Sequence, residues 1–307
     1  MRGLVFLLRR AFFAALTLWI VYTVTFFLMR VVPGGPFASE KNLPAAVKRN
    51  IEARYKLDQP LYRQYASHLS YTLRGDLGPS YKLEDYTVNE VIAQGFPVSA
   101  SLGILALVFA LTLGLTAGIV SAVERHTGWD YTFMAIATIG IAVPNFVLAS
   151  LAVIVFVFYF KIFPAAGWGS LQQLILPPLC LGAPFAGYIA RLARTGMLEV
   201  LGLDYIRTAY AKGLTRPRVV LKHALRGAIL PVVSYLGPAI AGILTGSLVV
   251  ERMFAVPGMG SFFIEAATQR DYTLAMGVVL VYSVLLQFMN LAVDFSYALI
   301  DPRVKLE

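Results

Sequence analysis

Residues able to perform chemistry are few in this sequence, and they do not form a recognisable catalytic set. The 307 residues contain no GxxxxGK[ST] phosphate loop, no HExxH pair, no GxSxG elbow and no GxGxxG turn. The single Cys180 excludes an internal disulfide, and His68, His126 and His223 lie far apart in the chain, which argues against a shared metal site. We therefore predict no catalytic residue, no metal and no cofactor bound by this chain, and no enzymatic activity of its own.

A weakly polar set inside long apolar runs is the next candidate. Pro144 and Asn145 interrupt one run near its middle, where a proline bends a helix and frees a backbone carbonyl. Thr245 and Ser247 place two hydroxyls in another run. These four residues are a candidate lining for the route of a polar solute. Close helix packing through small residues explains them equally well.

Asp294 is the ionisable residue that the sequence places inside an apolar run. It shares a helical face with Gln287 and Asn290, at spacings of three and four residues. Such a face can line a pathway, but interhelical hydrogen bonding and an ion pair at a helix end are the interpretation that the sequence favours. A proton-coupled carrier is expected to show more such residues.

The strongest local pattern is a basic segment, residues 204–231, between two long apolar runs. Lys212 and Gly213 suit the end of one helix, because a cation complements the helix dipole and glycine tolerates a left-handed cap. Thr215 can cap the next helix, with Pro217 in its first turn. Apolar residues recur at helical spacing on both sides of the break. The pattern predicts a helix–break–helix unit that lies on a membrane face and docks a partner.

Composition identifies an integral membrane protein, since 58% of the residues are hydrophobic and only 14% are charged. The formal net charge is +9, of which residues 1–10 contribute +3 and residues 191–228 contribute +6. The remainder is therefore neutral. This distribution is typical of the positive-inside bias, and it gives little support to a nucleic-acid partner.

Six uncharged runs are long enough to cross the ~30 Å hydrocarbon core as helices. They cover residues 11–29, 96–123, 131–160, 171–190, 227–250 and 273–293. Six crossings place both termini on one side, which the basic residues identify as the cytoplasm. The polar stretch after the first run predicts a small folded element on the outer face, with helices at 44–56 and 61–74 and a turn-rich GDLGPS at 75–80.

A series of short motifs runs in order through essentially the whole chain. They are MRVVPGGPF at 29–37, LDQPLYRQY at 57–65, RGDLGPSY at 74–81, YIRTAYAKGL at 205–214, LKHALRGAILPV at 221–232, VPGMG at 256–260, RDY at 270–272 and DPR at 301–303. With these motifs the chain resembles the inner-membrane permease subunits of the dipeptide, oligopeptide and nickel group of ABC importers. It is most similar to the B-type oligopeptide permeases.

The resemblance implies an all-α integral membrane protein with six transmembrane helices and the type I ABC importer permease fold. Residues 1–32 would be a cytoplasmic segment and the first helix, 33–96 a periplasmic folded loop, and 97–307 a five-helix permease core that includes a coupling region at 195–231. The chain would lie in the bacterial inner membrane with both termini cytoplasmic. It would form half of the translocation pathway of an ATP-driven oligopeptide importer.

The same resemblance implies the partners. They are a homologous second permease, two ATPase subunits that carry ATP and Mg, a peptide-loaded periplasmic or lipid-anchored binding protein, and the peptide itself. In this family the block around Gly213 is the cytoplasmic coupling element that sits in a groove of the ATPase. The residues implied to couple to the ATPase are Arg207, Thr208, Ala209, Tyr210, Lys212, Gly213 and Leu214.

This block matches the superfamily pattern incompletely. The pattern reads EAA, three residues, Gly, nine residues, I-x-L-P, and Arg207, Thr208 and Ala209 stand at the EAA positions. Gly213 is retained, whereas His223 stands at the isoleucine position. The residue types therefore leave open which coupling side chains contact the ATPase.

Two other functions stay open at this point. One is a secondary transporter or channel that works without ATP, although no internal repeat of the kind common in secondary transporters is evident. The other is a permease of the same family for dipeptides, nickel or glutathione.

Overall fold

The computed structural model describes residues 2–31, 56–83, 85–245 and 248–300, and in those ranges the chain is mostly helical. Its α-helices are α1 (Arg2–Val31), α2 (Leu61–Thr72), α3 (Val88–Val123), α4 (Gly128–Ala142), α5 (Asn145–Ala152), α6 (Leu176–Leu201), α7 (Asp204–Ala211), α8 (Arg216–Arg218), α9 (Leu225–Ala228), α10 (Leu230–Thr245), α11 (Leu248–Met253), α12 (Met259–Gln269) and α13 (Tyr272–Ile300). Two π-helical stretches, Val153–Tyr159 and Val219–Ala224, continue α5 and α8. The described residues form no β-strand, which confirms the all-α prediction.

Three stretches are continuous helices that are long and apolar enough to cross a membrane, namely Leu8–Val31, Val88–Val123 and Tyr272–Ala292. Two more qualify only as bent pairs, Gly128–Ala142 with Asn145–Tyr159 and Arg216–Ala228 with Leu230–Leu244. The described residues thus hold up to five spans by length and composition.

The predicted run at 171–190 corresponds to α6, which is not among these five spans. This helix begins at Leu176 and continues to Leu201, so that it includes charged residues beyond the predicted end of the run. The helical membrane fold is therefore confirmed, whereas the count of six crossings is not reached by apolar length alone.

The chain divides into two compact units, which are described separately. Unit 1 comprises Met1–Val98, Gly258–Gln287 and Leu306–Glu307, and unit 2 comprises Ser99–Pro257 and Phe288–Lys305. Their boundary falls within α3 and within α13, so each of these helices contributes to both units.

In unit 1, α2 packs along α1 through aromatic side chains. Tyr22 and Phe26 of α1 are buried, and the Phe26 ring meets the Tyr65 ring edge-on at 5.2 Å between centroids. The Tyr22 hydroxyl lies 2.8 Å from His68 Nδ1, and Thr23 Oγ1 lies 2.8 Å from the Tyr65 hydroxyl. The predicted helix at 61–74 is confirmed as α2, two residues shorter. The predicted helix at 44–56 falls almost entirely outside the described residues.

A buried carboxylate ties the GDLGPSY loop to the start of α13, also within unit 1. Asp271 is 1% exposed and accepts hydrogen bonds from the Ser80 hydroxyl, from two backbone N–H groups of the loop, and from the Thr273 hydroxyl and Leu274 N–H of α13. The loop turns at Gly75 and Gly78, both at φ +82°, as its glycines predicted. We call Asp271, Ser80, Tyr81, Lys82, Thr273 and Leu274 the Asp271 network.

Unit 2 is organised around α6, thirteen residues of which are buried. Small residues allow neighbouring helices to approach it closely. A Cβ added to Gly182 would meet the Ala106 carbonyl oxygen of α3 at 2.6 Å, and one added to Gly140 of α4 would meet the Ala183 carbonyl oxygen at 2.9 Å. The position of α6 against α3 and α4 therefore depends on these glycines.

Candidate functional site

The basic segment folds as the predicted helix, break and helix. Helix α7 begins at Asp204, whose carboxylate suits the positive end of the helix dipole, and ends at Ala211. Gly213 lies in the left-handed region at φ +78°. Its N–H donates to the Tyr210 carbonyl at 2.9 Å, and the Leu214 N–H donates to the Ala209 carbonyl at 3.4 Å. This pair of bonds is a Schellman motif, in which the residue after the cap needs a positive φ. The prediction of a glycine cap is confirmed.

The start of the second helix differs from the prediction in one respect. Thr215 does have the extended backbone of an N-cap residue, and Pro217 does lie in the first turn of α8. The Thr215 side chain, however, makes no capping hydrogen bond. The prediction that its hydroxyl caps the helix is therefore wrong. The contacts that hold this end of the helix come from Arg216, described below.

Helix α7 has two faces. Ile206 and Ala209 are 1% and 6% exposed, and they point into unit 2. The opposite side carries Arg207, Thr208, Tyr210 and Lys212, all of which are exposed. We call these four residues the exposed α7 face. It presents two cations, a hydroxyl and a phenol to the surroundings of the chain.

A compact apolar core lies beneath α7. Its buried members come from the ends of α3 and α6, from α7 itself and from the helical run after the break, and they are Ala122, Met197, Val200, Ile206, Ala209, Val219, Val220, Ala224 and Ala228. Leu214, the residue after Gly213, is half-buried and packs against the same core. Of the seven residues implied to couple, Ala209 and Leu214 therefore support α7 from within, and only the other five reach the surface.

An ion pair between a buried carboxylate and a half-buried arginine joins three helices of unit 2. Asp130, in the first turn of α4, accepts hydrogen bonds from Arg194 of α6 at 2.8 Å to Nε and 2.9 Å to Nη2, which is a bidentate pair. The same carboxylate accepts from the Ser121 hydroxyl of α3 and from the His126 N–H in the α3–α4 connection. Asp130 is only 3% exposed. Three helices are thus joined through one side chain.

Sequence reasoning missed this ion pair. Asp130 immediately precedes the uncharged run that begins at Tyr131, and Arg194 is one of many bases in a region of positive excess. The sequence does place an acidic residue, Asp130, at the start of a predicted helix in a chain rich in bases. Nothing in the spacing indicates that Asp130 and Arg194 form an ion pair. They are 64 positions apart in the chain.

Of the residues proposed to line a solute route, the structure describes the side chains of Pro144 and Asn145 only. Pro144 and Asn145 lie where the chain turns by 114° between α4 and α5, with Pro144 exposed and Asn145 half-buried. The expected interruption of this run at Pro144 is confirmed, and the bend there is a break between two helices, with Pro144 directly before the second. Thr245 is the last residue of α10, and the side chains of Thr245 and Asp294, together with all of Ser247, fall outside the described residues.

A cleft of about 390 Å³ lies in unit 2 between α3, α4 and α6. Its walls are apolar, with Leu113 and Ile136 on two sides and Gly182 in the floor. Neither Pro144 nor Asn145 lines it. The cleft therefore gives no support to a polar route, and the role of these two residues stays a prediction.

Comparison with known proteins finds matches over nearly the whole chain. Residues 114–306 match the family described as binding-protein-dependent transport system inner membrane component, and residues 3–103 match the N-terminal family of such membrane components. The oligopeptide transport system permease protein OppB of Haemophilus influenzae is 46% identical over 302 residues, covering 98% of this chain and 99% of that protein. The dipeptide transport system permease protein DppB of Bacillus subtilis is also 46% identical, covering 98% of each.

Solved structures share the fold at lower identity. An inward-facing structure of the MetNI methionine ABC transporter matches with a TM-score of 0.56 and 18% identity, covering 69% of this chain and 96% of that one. An amino acid ABC transporter crystallised with histidines matches with a TM-score of 0.53 and 15% identity, covering 70% and 95%. These similarities confirm the predicted importer permease fold. The chain belongs to the family of inner membrane components of binding-protein-dependent transport systems, as an ABC importer permease of the oligopeptide and dipeptide group.

Proposed function

We propose that this chain is the permease subunit of an ATP-driven oligopeptide importer of the bacterial inner membrane. It forms half of the translocation pathway with a homologous second permease, and separate ATPase subunits bind and hydrolyse the ATP. A binding protein delivers the peptide on the outer side. The proposal is supported by oligopeptide transport system permease proteins that match this chain over nearly their whole length.

The exposed α7 face is the observation that carries the coupling part of the proposal. A helix whose apolar side is buried and whose charged and aromatic side is exposed presents a firm, specific surface to a partner. Closure of two ATPase subunits on ATP would move such a helix as a rigid body, which a floppy polar loop would not transmit. Arg207, Thr208, Tyr210 and Lys212 make the ATPase contacts, and Gly213 holds their helix at the required angle.

Reconstitution tests this function directly. The chain is placed in liposomes alone, and in parallel with its sister permease, both ATPase subunits and the binding protein. Peptide uptake is expected only in the complete assembly and only with ATP. Uptake by the chain alone would establish the alternative function, a transporter or channel that works without ATP.

A dipeptide importer is a second candidate, because identity to the Bacillus subtilis dipeptide permease equals that to the Haemophilus influenzae oligopeptide permease. A series of peptides from two to six residues, each offered in competition with a labelled tripeptide, separates the two. An oligopeptide importer should be inhibited best by the longer members. Inhibition confined to dipeptides would favour the second candidate.

Orientation is part of the proposal, since the basic segment must face the cytoplasm to meet an ATPase. Cys180, the single native cysteine, is buried. A Lys212→Cys variant should therefore be labelled in intact cells by a membrane-permeant thiol reagent and not by an impermeant one. Labelling by the impermeant reagent would place the segment outside and contradict the proposed topology.

A further inference from the structure

Arg216 attaches the basic segment to the end of a membrane helix. It is the first residue of α8, three positions after the Gly213 cap. Its Nη2 donates to the carbonyl oxygen of Val123 at 2.6 Å, and its Nη1 lies 3.0 Å from Glu124 Oε1. Val123 is the last residue of α3, where helix carbonyls lack an intrahelical partner and carry the negative end of the dipole. The guanidinium therefore satisfies both a helix end and a carboxylate.

The end of α3 that Arg216 contacts is itself joined to two other helices. Ser121, two positions before Val123, donates to Asp130 of α4, and Asp130 is held by Arg194 of α6. The inner ends of α3, α4 and α6 are thus joined by polar contacts of fixed geometry. A displacement applied to the end of α3 would be shared with the other two helices.

Apolar packing alone does not fix the position of α7 against this end of α3. Ile206 and Ala209 share a core with Ala122 of α3, but burial of apolar area is non-directional and permits sliding. A planar guanidinium that binds two acceptors at once sets both distance and orientation. Arg216, although its side chain is 55% exposed, therefore supplies a polar contact that orients the basic segment against α3.

We propose that Arg216 is a positioning residue for energy coupling, which converts movement of the coupling helix α7 into movement of the inner end of α3. The inference rests on the proposed function, since it needs an ATPase to move α7. It differs from ATPase docking, because the side chain of Arg216 is directed to its own membrane domain. Loss of Arg216 should leave docking intact while the motion transmitted to the membrane helices falls.

The test uses the complete importer in liposomes and measures ATP hydrolysed per peptide imported. In Arg216→Ala this ratio is expected to rise on the order of 2- to 30-fold, the range in which single residues alter coupling between sites. Arg216→Lys keeps one donor and should recover part of the loss. Arg218→Ala is the matched control, since Arg218 is an exposed base on the same short helix and makes neither contact. Retention of the ATPase subunits on the purified complex is measured for every variant.

Glu124→Gln tests the same contact if the Arg216→Ala complex does not assemble. It retains the carbonyl contact and removes only the ion pair, so its ratio should rise by less than that of Arg216→Ala. A normal ratio in Arg216→Ala, or an equal rise in Arg218→Ala, would overturn the proposal. Loss of the ATPase subunits from Arg216→Ala would also overturn it, because Arg216 would then act in docking, and the proposed function would stand. A wild-type complex that imports no peptide would instead overturn the proposed function and the inference with it.

Discussion

The Asp271 network and the exposed α7 face both contain residues from motifs that resemble the peptide permease family, yet they use their polar groups in opposite ways. In the Asp271 network the carboxylate is 1% exposed and its acceptor capacity is filled by groups of the same chain. On the exposed α7 face the polar side chains are exposed, and Arg207 and Thr208 contact the chain only locally, at Asp204. The first region joins parts of the fold, and the second is the surface that we propose for the ATPase.

The exposure of the polar groups separates the two regions, whereas their occurrence in family motifs does not. A buried polar group without a partner costs free energy, so satisfied internal networks are expected wherever such groups are enclosed. An exposed group incurs no such cost when its partner is absent. The four predictions that follow test this division, in order of decreasing effect on free energy.

The largest effect is expected for Asp271→Ala. The change leaves the Ser80 hydroxyl and the buried Leu274 N–H without their acceptor, so the free energy of unfolding should fall by about 3 to 5 kcal/mol. Unfolding of the purified chain in detergent measures it. Asp204→Ala is the control, because its side chain is 96% exposed, and a loss within about 0.5 kcal/mol is expected there. Equal losses in the two variants would refute the division by burial.

A smaller effect is expected at His68, also in unit 1. Burial, followed by the positive charge of Arg30, lowers the pKa of His68 from 6.5 to about 4. The unfolded chain therefore binds a proton between pH 6.5 and 4 that the folded chain does not, and stability falls as the pH is lowered through this window. At pH 5 the loss relative to pH 7.5 should be about 2 kcal/mol.

Unfolding of the wild-type chain and of His68→Gln across this pH range measures the contribution. The variant should lose the part of the pH dependence that lies between pH 6.5 and 4. His126→Gln is the control, since His126 is exposed in the α3–α4 connection, and its profile should follow the wild type. A wild-type profile retained in His68→Gln would assign the pH dependence to other groups.

Gly213→Val is the third prediction and concerns the helix break. At φ +78° a β-branched residue is strained by roughly 1 to 2 kcal/mol, which is enough to shift the cap and tilt α7. The complete importer should insert and assemble but import little peptide per ATP. Gly213→Asn should retain more transport, because asparagine tolerates this conformation.

Gly202→Val is the matched control for the break. Gly202 is exposed and lies at φ −81°, and a Cβ there would make only ordinary contacts. Its transport should remain close to the wild-type value. Normal transport by Gly213→Val would mean that the left-handed cap is not required for coupling.

Much of this architecture could be predicted from local patterns. Gly213 signalled the break because few residues other than glycine adopt its backbone conformation, and Gly75 and Gly78 signalled the loop for the same reason. Long uncharged runs predicted the membrane helices, because a run of about 20 apolar residues matches the thickness of the hydrocarbon core. Each of these features depends on residues near one another in the chain.

Features that depend on distant residues were not predictable in the same way. Asp130 and Arg194 are separated by 64 positions, and Arg216 lies 93 positions from Val123. No periodicity encodes such pairs, and Arg216 looked like one more base in a basic segment. Pro144 correctly indicated an interruption of its run, but the angle of 114° between the two helices is not encoded in the local sequence.

The smallest free-energy effect is expected for Lys212→Glu on the exposed α7 face. Reversal of this charge should weaken association with the ATPase subunits by about 10-fold, roughly 1.4 kcal/mol, while the unfolding free energy falls by no more than about 1 kcal/mol, the effect of a charge at a helix end. Titration of purified ATPase subunits against the detergent-solubilised permease pair measures the affinity. Because charge attraction is screened, the difference between variant and wild type should shrink as salt is raised.

Arg74→Glu is the matched control for that change, because Arg74 is an exposed base in unit 1 outside the basic segment. Arg74→Glu alters the net charge of the chain by the same amount as Lys212→Glu. If Lys212 makes a specific contact, Arg74→Glu should leave the affinity for the ATPase subunits unchanged. An equal loss in both variants would assign the effect to overall charge. A loss of unfolding free energy beyond about 1 kcal/mol in Lys212→Glu would instead place Lys212 with the Asp271 network, among residues that hold the fold, and would break the division between the two regions at its weakest point.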